Sequence, residues 1–337
     1  MRRNVALRRP RPNFAGGSPC LRVAVVGAGA IGGFIAAMLA RAGNSVAVVA
    51  RGEHLAEIQR SGLSVKSTAG DFTVNVPASN DLRELGDFET VFVAVKAHQF
   101  EEILPQLKHV VESGATIVPL QNGIPFWYFE NRSLGSVDAG GRIRAAIPRA
   151  QIVGAVIHTS GEVLTPGVIH QSGERTYLFG LPSGVESDRR LNEVVNLFSN
   201  VGMDASAMAD LRPAVWRKLL GNVSLNPVSA LMRLTIRPML EDPPTHLLLR
   251  ELMEETVRVA AASGVQLETS VEERLHMASR FADVKTSMLQ DLEAGRALEV
   301  EPIVGAVIEV ADYFGAKVPA IRTIYALTRS LQREAVA

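Results

Sequence analysis

The chain reads as an α/β protein in two parts: an N-terminal Rossmann-type doubly wound parallel sheet and a C-terminal all-helical domain. Three observations predict this. Apolar runs of strand length alternate with helix-length amphipathic segments through the first 200 residues. A glycine-rich turn joins the first such run to the first helix. From about residue 210 the apolar period changes from 2 to 3.6 and stays there. The expected division is residues 1–20 as an extension, 21–209 as a nucleotide-binding domain and 210–337 as a helical substrate and dimerisation domain.

The extension carries Arg2, Arg3, Arg8, Arg9 and Arg11, several prolines and no acid. It has no apolar stretch of the kind a secretory leader needs, so it reads as a flexible Arg-rich segment ahead of the first strand. Val23-Ala-Val-Val26 then breaks into Gly27-Ala28-Gly29-Ala30-Ile31-Gly32 and continues as the apolar helix Phe34–Ala40. Gly27 permits the tight strand-to-helix turn, Gly29 lets a pyrophosphate approach the backbone, and Gly32 lets helix and strand pack closely. The helix N-terminus offers unpaired N–H groups and a partial positive charge to the phosphates. A purely structural turn is the competing reading. The preceding strand, the following helix and the next strand Ser45–Ala50 favour dinucleotide binding.

At the tip of that second strand an NAD site usually places an acid on the ribose 2′-OH. Here Ala50-Arg51 stands instead, and an arginine fork suits a 2′-phosphate. NADP(H) is therefore favoured over the reading of Arg51 as an ordinary solvated arginine. A helix over 52–61, a hairpin-like pair around Ser67–Asp71, the buried run Val91–Val95, a helix near 98–112 and strands at Ala115–Leu120 and Ile152–Ile157 follow. Residues 135–141 read as a polar loop, and 161–180 as antiparallel strands at one sheet edge. Ligands sit at the carboxyl ends of strands in such sheets. Lys96, Gln121-Asn122-Gly123 and His158-Thr159-Ser160 fall just past strand ends and should line the crevice.

In the second domain helical patterns run 211–232, 246–263, 270–294, 301–315 and 319–334. On the first, Lys218, Asn222 and Asn226 recur every four residues and form one stripe. Asparagine is a poor helix former, so two in register behind a lysine argue for a use other than helix stability. A solvated polar face is the alternative. Pro227 removes the N–H that would bond Val223 and should bend the helix near Asn226. Farther on, pattern alone makes Ser287 an N-cap and Glu299 a first-turn carboxylate complementing a helix dipole.

Composition sets the outer limits. The 337 residues are 47% apolar and 21% charged, an ordinary globular balance. Lys+Arg and Asp+Glu stand at 35 each, so no overall field draws nucleic acid or an anionic membrane. No apolar run reaches the roughly 18 residues that span a bilayer. Cys20 is the only cysteine, which fits a reducing cytoplasmic setting. No His/Cys/Asp group has metal-ligand spacing, so no metal is expected, and His158, His170 and His246 read as structural or surface residues.

Taken together, Gly27–Gly32, Ala94-Val-Lys96, Leu120-Gln-Asn-Gly123, Trp216-Arg-Lys-Leu with Asn222 and Asn226-Pro227, and Ser287-Met-Leu-Gln-Asp291 with Glu299 resemble the ketopantoate reductase (2-dehydropantoate 2-reductase) family over residues 21–330. The resemblance implies NADPH-dependent reduction of 2-dehydropantoate to (R)-pantoate, on the route to pantothenate and coenzyme A. It implies that the glycine loop (Gly27, Ala28, Gly29, Ala30, Ile31, Gly32), Arg51 and Lys96 hold NADPH, the last two near its phosphate and ribose end. Asn122 would lie between cofactor and substrate, and Ser160 beside the nicotinamide. Lys218 would be the general acid. Asn222, Asn226 and Ser287 would bond the substrate's carboxylate and hydroxyl groups, and Glu299 the hydroxyl end or the cofactor. A homodimer through the helical domain is also implied.

Three departures bear on the substrate more than on the reaction. Val284 replaces an asparagine some members carry, Val300-Glu301-Pro302 stands where an Asp often precedes an aromatic, and the segment from Asn122 to Gly154 is longer than in compact members. A related NADP-dependent 2-oxo-acid or hydroxy-acid dehydrogenase, or an NADP(H)-binding sensor without turnover, are the competing functions.

Overall fold

The computed structural model describes residues 21–336 apart from 69, 187, 281 and 282. The extension expected at 1–20, with Cys20, lies outside the described residues. The chain starts with β1 (Arg22–Val26), α1 (Ala30–Arg41), β2 (Ser45–Val49), α2 (Gly52–Ser61), β3 (Leu63–Ser67), β4 (Phe72–Val74) and β5 (Ala78–Ser79). It continues through β6 (Thr90–Val93), α3 (Phe100–Glu112), β7 (Thr116–Pro119), α4 (Arg142–Ala146), β8 (Gly154–Thr165), β9 (Val168–Gly180), α5 (Asp188–Ser199) and β10 (Asp204–Met208). Helices follow: α6 (Arg212–Met232), α7 (Ile236–Glu241), α8 (Pro243–Ala262), α9 (Val271–Ser279), α10 (Ser287–Glu293), α11 (Ala306–Phe314) and α12 (Pro319–Val336).

Two sheets form where one was expected. The parallel sheet has the order β5-β2-β1-β6-β7. The second has the order β10-β9-β3-β4, with β8 antiparallel to β9. The strand expected at 152–157 therefore does not extend the parallel sheet; it meets β7 only through an isolated bridge between Ile117 and Ile152. Its residues from Gly154 onward instead begin a long local hairpin with β9. That pairing closes through a turn at Pro166-Gly167, so its loop-closure cost is small.

Alternation along β1 explains how the sheets are joined. Val23 and Val25 enter one apolar core, and Ala24 and Val26 enter another, as the period of 2 requires. Helix α1 touches both sheets, β1 and β2 on one side and β3, β8 and β9 on the other. This is why its sequence is apolar nearly all round, with Phe34, Ile35, Ala36, Ala37 and Leu39 buried. Phe198 of α5 closes this core against Phe92, Tyr177 and Phe179, with ring centroids 5.4, 4.9 and 4.9 Å away.

In the helical part α6 is central, packed on α8, α10 and α12. Trp216 is wholly buried and its Nε1–H donates to the Tyr128 hydroxyl at 2.6 Å, tying α6 to the long segment after β7. The helix runs unbroken through Pro227 to Met232. The helix expected over 270–294 is two, α9 and α10. Thr286 caps α10 by accepting the Leu289 N–H at 3.2 Å. Residues Glu301–Gly305, expected as regular helix, form a wider π-type turn ahead of α11. Among the described residues no helix is long and apolar enough to cross a membrane.

Candidate active site

The carboxyl ends of β1, β2, β6 and β7 open onto a cleft of about 1170 Å³ whose far wall is α10 and the segment after it. Gly27 makes the turn at its floor with φ +100, a conformation that disfavours any side chain, and a Cβ there would stand 2.8 Å from Val95 N. At Gly32 a Cβ would overlap the Gly27 carbonyl and stand 2.7 Å from Ala94 Cβ, so helix and sheet meet there at backbone distance. Gly29 differs: nothing lies within 4 Å of a Cβ built on it. Gly29 is also the N-cap of α1 and no side chain caps that end. The open approach and the unpaired N–H groups suit a pyrophosphate.

His54 braces this turn. Its Nδ1 accepts the Gly167 N–H at 3.0 Å, which leaves Nε2 to donate to the Ala28 carbonyl at 2.7 Å. Arg51 stands exposed on the cleft rim, 3.6 Å from Glu102. Lys96 does not point freely toward a phosphate. Its Nζ crosses to α10 and pairs with Asp291 Oδ2 at 2.5 Å and the Ala297 carbonyl at 3.2 Å. Arg296 Nε holds the other Asp291 oxygen at 2.9 Å.

The stripe on α6 reaches the inner end of the cleft. Lys218 Nζ donates to Asn122 Oδ1 at 2.8 Å, and Asn122 Nδ2 donates to Glu299 Oε2 at 3.2 Å. The amide is thus oriented by an ammonium on one side and a buried carboxylate on the other. Burial lowers the Lys218 pKa to about 8, against the opposing pull of Glu299. Lys218 and Asn222 share a pocket of about 20 Å³ with Gln121 and Asn122, room for one water-sized group. The cleft wall also carries Ser287. Asn226, one turn beyond Asn222 and buried, donates from Nδ2 to Ser287 Oγ at 3.5 Å.

The loop bearing Asn122 is fixed to the segment bearing Glu299. Ile124 N–H donates to the Pro302 carbonyl at 3.1 Å. Gly123, at φ +91, sits so close to Pro302 that a Cβ would stand 2.5 Å from its carbonyl carbon.

The sequence model described as Ketopantoate reductase PanE/ApbA matches residues 23–184, and that for the C-terminal part of the same family matches residues 210–332. The chain belongs to the ketopantoate reductase family. It is 35% identical to the 2-dehydropantoate 2-reductase of Mesorhizobium japonicum, over 93% of this chain and 98% of that one. Identity to the enzyme of the same name from Halobacterium salinarum is 32%, over 93% and 100%. The crystal structure of 2-dehydropantoate 2-reductase from Geobacter metallireducens superposes with a TM-score of 0.83 at 28% identity, over 92% of this chain and 99% of that one. This ketopantoate reductase family member is an oxidoreductase.

Most residues singled out in the sequence of this family member converge on one cleft. Gly27, Ala28, Gly29, Ala30, Ile31, Arg51, Lys96, Asn122, Ser287 and Glu299 line it, while Gly32 packs behind the turn. Ser160 is the exception: it is exposed on β8 next to a register shift, and Gly161, Glu162 and Val163 form the cleft wall there. The register shifts there because β9 advances four residues, from Thr176 to Ser172, while β8 advances two, from His158 to Ser160. Ser287 is not the N-cap of α10, because Thr286 takes that place and frees the Ser287 hydroxyl. His54 and Asp291 were missed as site residues. Asp291 stands in a quoted motif, whereas His54 reads as one polar residue in an amphipathic helix. His158, expected as a structural or surface residue, is half-buried, and burial, Lys218, Arg217 and Arg274 push its pKa down to about 4.

Proposed function

We propose that the protein reduces 2-dehydropantoate to (R)-pantoate with NADPH, with Lys218 as the proton donor. The observation that carries this is the run of contacts from Lys218 through Asn122 to Glu299 at the inner end of a cleft floored by the glycine turn. Bound there, the reduced nicotinamide supplies the hydride. As C2 of the ketone accepts it, negative charge develops on the carbonyl oxygen, and the Lys218 ammonium both stabilises and protonates that oxygen. A pKa near 8 keeps the lysine charged at neutral pH yet able to release its proton. Asn122 fixes the position of Nζ, and Glu299 fixes the amide and favours the charged lysine.

Arg51 would take the 2′-phosphate, and the first turn of α1 the pyrophosphate. Asn222, Asn226 and Ser287 would bond the polar groups of the acid. The names of the Mesorhizobium and Halobacterium relatives, 2-dehydropantoate 2-reductase, support this substrate, and the route to pantothenate is part of the proposal. Homodimerisation and a cytoplasmic setting complete the reading. The test is NADPH oxidation by the purified protein with 2-dehydropantoate, beside pyruvate and branched 2-oxo acids, repeated with NADH. Strong preference for 2-dehydropantoate and NADPH is expected. Turnover only with another 2-oxo acid would move the pathway while keeping the chemistry, and NADPH binding with no turnover on any acid would replace the reductase by a sensor.

A further inference from the structure

One cation beside the site has no counter-charge. Arg274 on α9 lies across α6 at Gly221, where a Cβ would overlap the guanidinium and stand 2.9 Å from its Cζ. The absent side chain at 221 is what lets Arg274 lie there. Gly221 is three residues from Lys218, so the two positions are neighbours on the helix surface, about 5–6 Å apart at Cβ. The guanidinium is also felt by His158 on β8, together with Lys218 and Arg217. Arg217 is exposed, whereas Arg274 is only partly so.

Among the described residues no carboxylate or hydrogen-bond acceptor engages the Arg274 side chain, whereas Arg149, Arg190, Arg250 and Arg296 each find one. Burial alone lowers its pKa, with no acid opposing. A half-buried arginine without a partner keeps part of its desolvation cost uncompensated unless something anionic joins it. The proposed substrate is an acid, and the roles given to Asn222, Asn226 and Ser287 offer it only neutral hydrogen bonds. Lys218 is committed to the carbonyl oxygen.

We propose that Arg274, seated in the notch left by Gly221, is the residue that neutralises the carboxylate of the substrate. It is a binding and specificity residue and takes no part in proton transfer. The inference rests on the reading of the protein as a 2-oxo-acid reductase. It also assigns Gly221 a purpose: an α6 residue in the middle of a helix where alanine would be the better helix former.

Two variants and one ligand pair test it. With the NADP⁺-loaded protein, binding of pantoate and of its neutral amide is measured by calorimetry, and KM and kcat are measured for the oxo acid. Arg274→Gln is expected to weaken acid binding and raise KM about ten- to a hundredfold, the range of a charge-assisted hydrogen bond, with kcat within about threefold. Affinity for the amide should be unchanged, so the preference for acid over amide collapses; Arg274→Lys should restore part of it. Gly221→Ala should raise KM in the same way by displacing the guanidinium, while its thermal midpoint stays level or rises. A merely structural arginine predicts otherwise: lower midpoints with the acid-to-amide ratio intact. That result in either variant overturns the assignment of Arg274 alone. A wild-type protein that binds neither compound overturns the reductase reading, and this inference with it.

Discussion

Raising the pH through 8 should switch off the reductive direction, and the magnitude follows from Lys218. Its pKa is lowered from 10.5 to about 8, mainly because burial penalises the ammonium. A group with that pKa is about nine-tenths protonated at pH 7, half at pH 8 and about one-tenth at pH 9. If Lys218 must deliver a proton, kcat/KM for reduction falls about tenfold between pH 7 and pH 9, then tenfold per further unit. The oxidative direction needs the neutral amine and should rise over the same interval. Glu299 pulls the pKa upward, so Glu299→Gln should move the falling limb to lower pH. Lys218→Ala removes the donor, with an expected loss of about 10²–10⁴ in kcat. Stability carries the same signature with a defined sign. Between about pH 8 and 10.5 the unfolded chain holds the Lys218 proton that the folded chain has lost, so this group makes stability rise with pH there. The assay is NADPH absorbance across pH 6–10 for wild type and both variants. A limb that stays put in Glu299→Gln, or Lys218→Ala turnover within tenfold of wild type, would remove Lys218 from the proton path.

Two further outcomes follow from the cofactor end. Gly29→Ala should fold with an unchanged melting midpoint, since a Cβ meets nothing within 4 Å, yet bind NADPH at least tenfold more weakly by fluorescence titration because the methyl occupies the phosphate approach. Equal affinity in that variant would place the pyrophosphate elsewhere. Arg51→Glu should reverse the NADPH-over-NADH preference in kcat/KM without altering stability, because the side chain is exposed and its partner Glu102 is too. An unchanged ratio would assign the 2′-phosphate to another group.

The glycine turn was legible because local rules govern it: strand, turn and helix lie within twenty residues and each glycine answers a short-range constraint. The α6 stripe was legible for the same reason, as three positions at a fixed helical interval. What joined them was not. Lys96 and Asp291 are 195 residues apart, and no periodicity announces that a lysine past β6 will end on a helix of the other half. The second sheet was hidden similarly. The strand patterns at 152–157 and 161–180 were visible, but pattern gives neither partner nor order, and the hairpin of β8 with β9 supersedes the longer-range pairing with β7. Ser160 lies where the β8–β9 register shifts through extra residues on β9, which the pattern of β8 alone does not announce.

The contact of Gly123 with Pro302 binds two distant stretches of the chain into one seam. Asn122 and Glu299 stand on either side of that seam, and Lys218 is bonded to the first. A second tie, the Lys96–Asp291 ion pair, joins the segment after β6 to α10 on the far wall of the cleft. The two ties share no side chain, so loss of the ion pair leaves the Lys218–Asn122–Glu299 contacts with all their partners. The entropy of bringing these three groups together is thus met at folding.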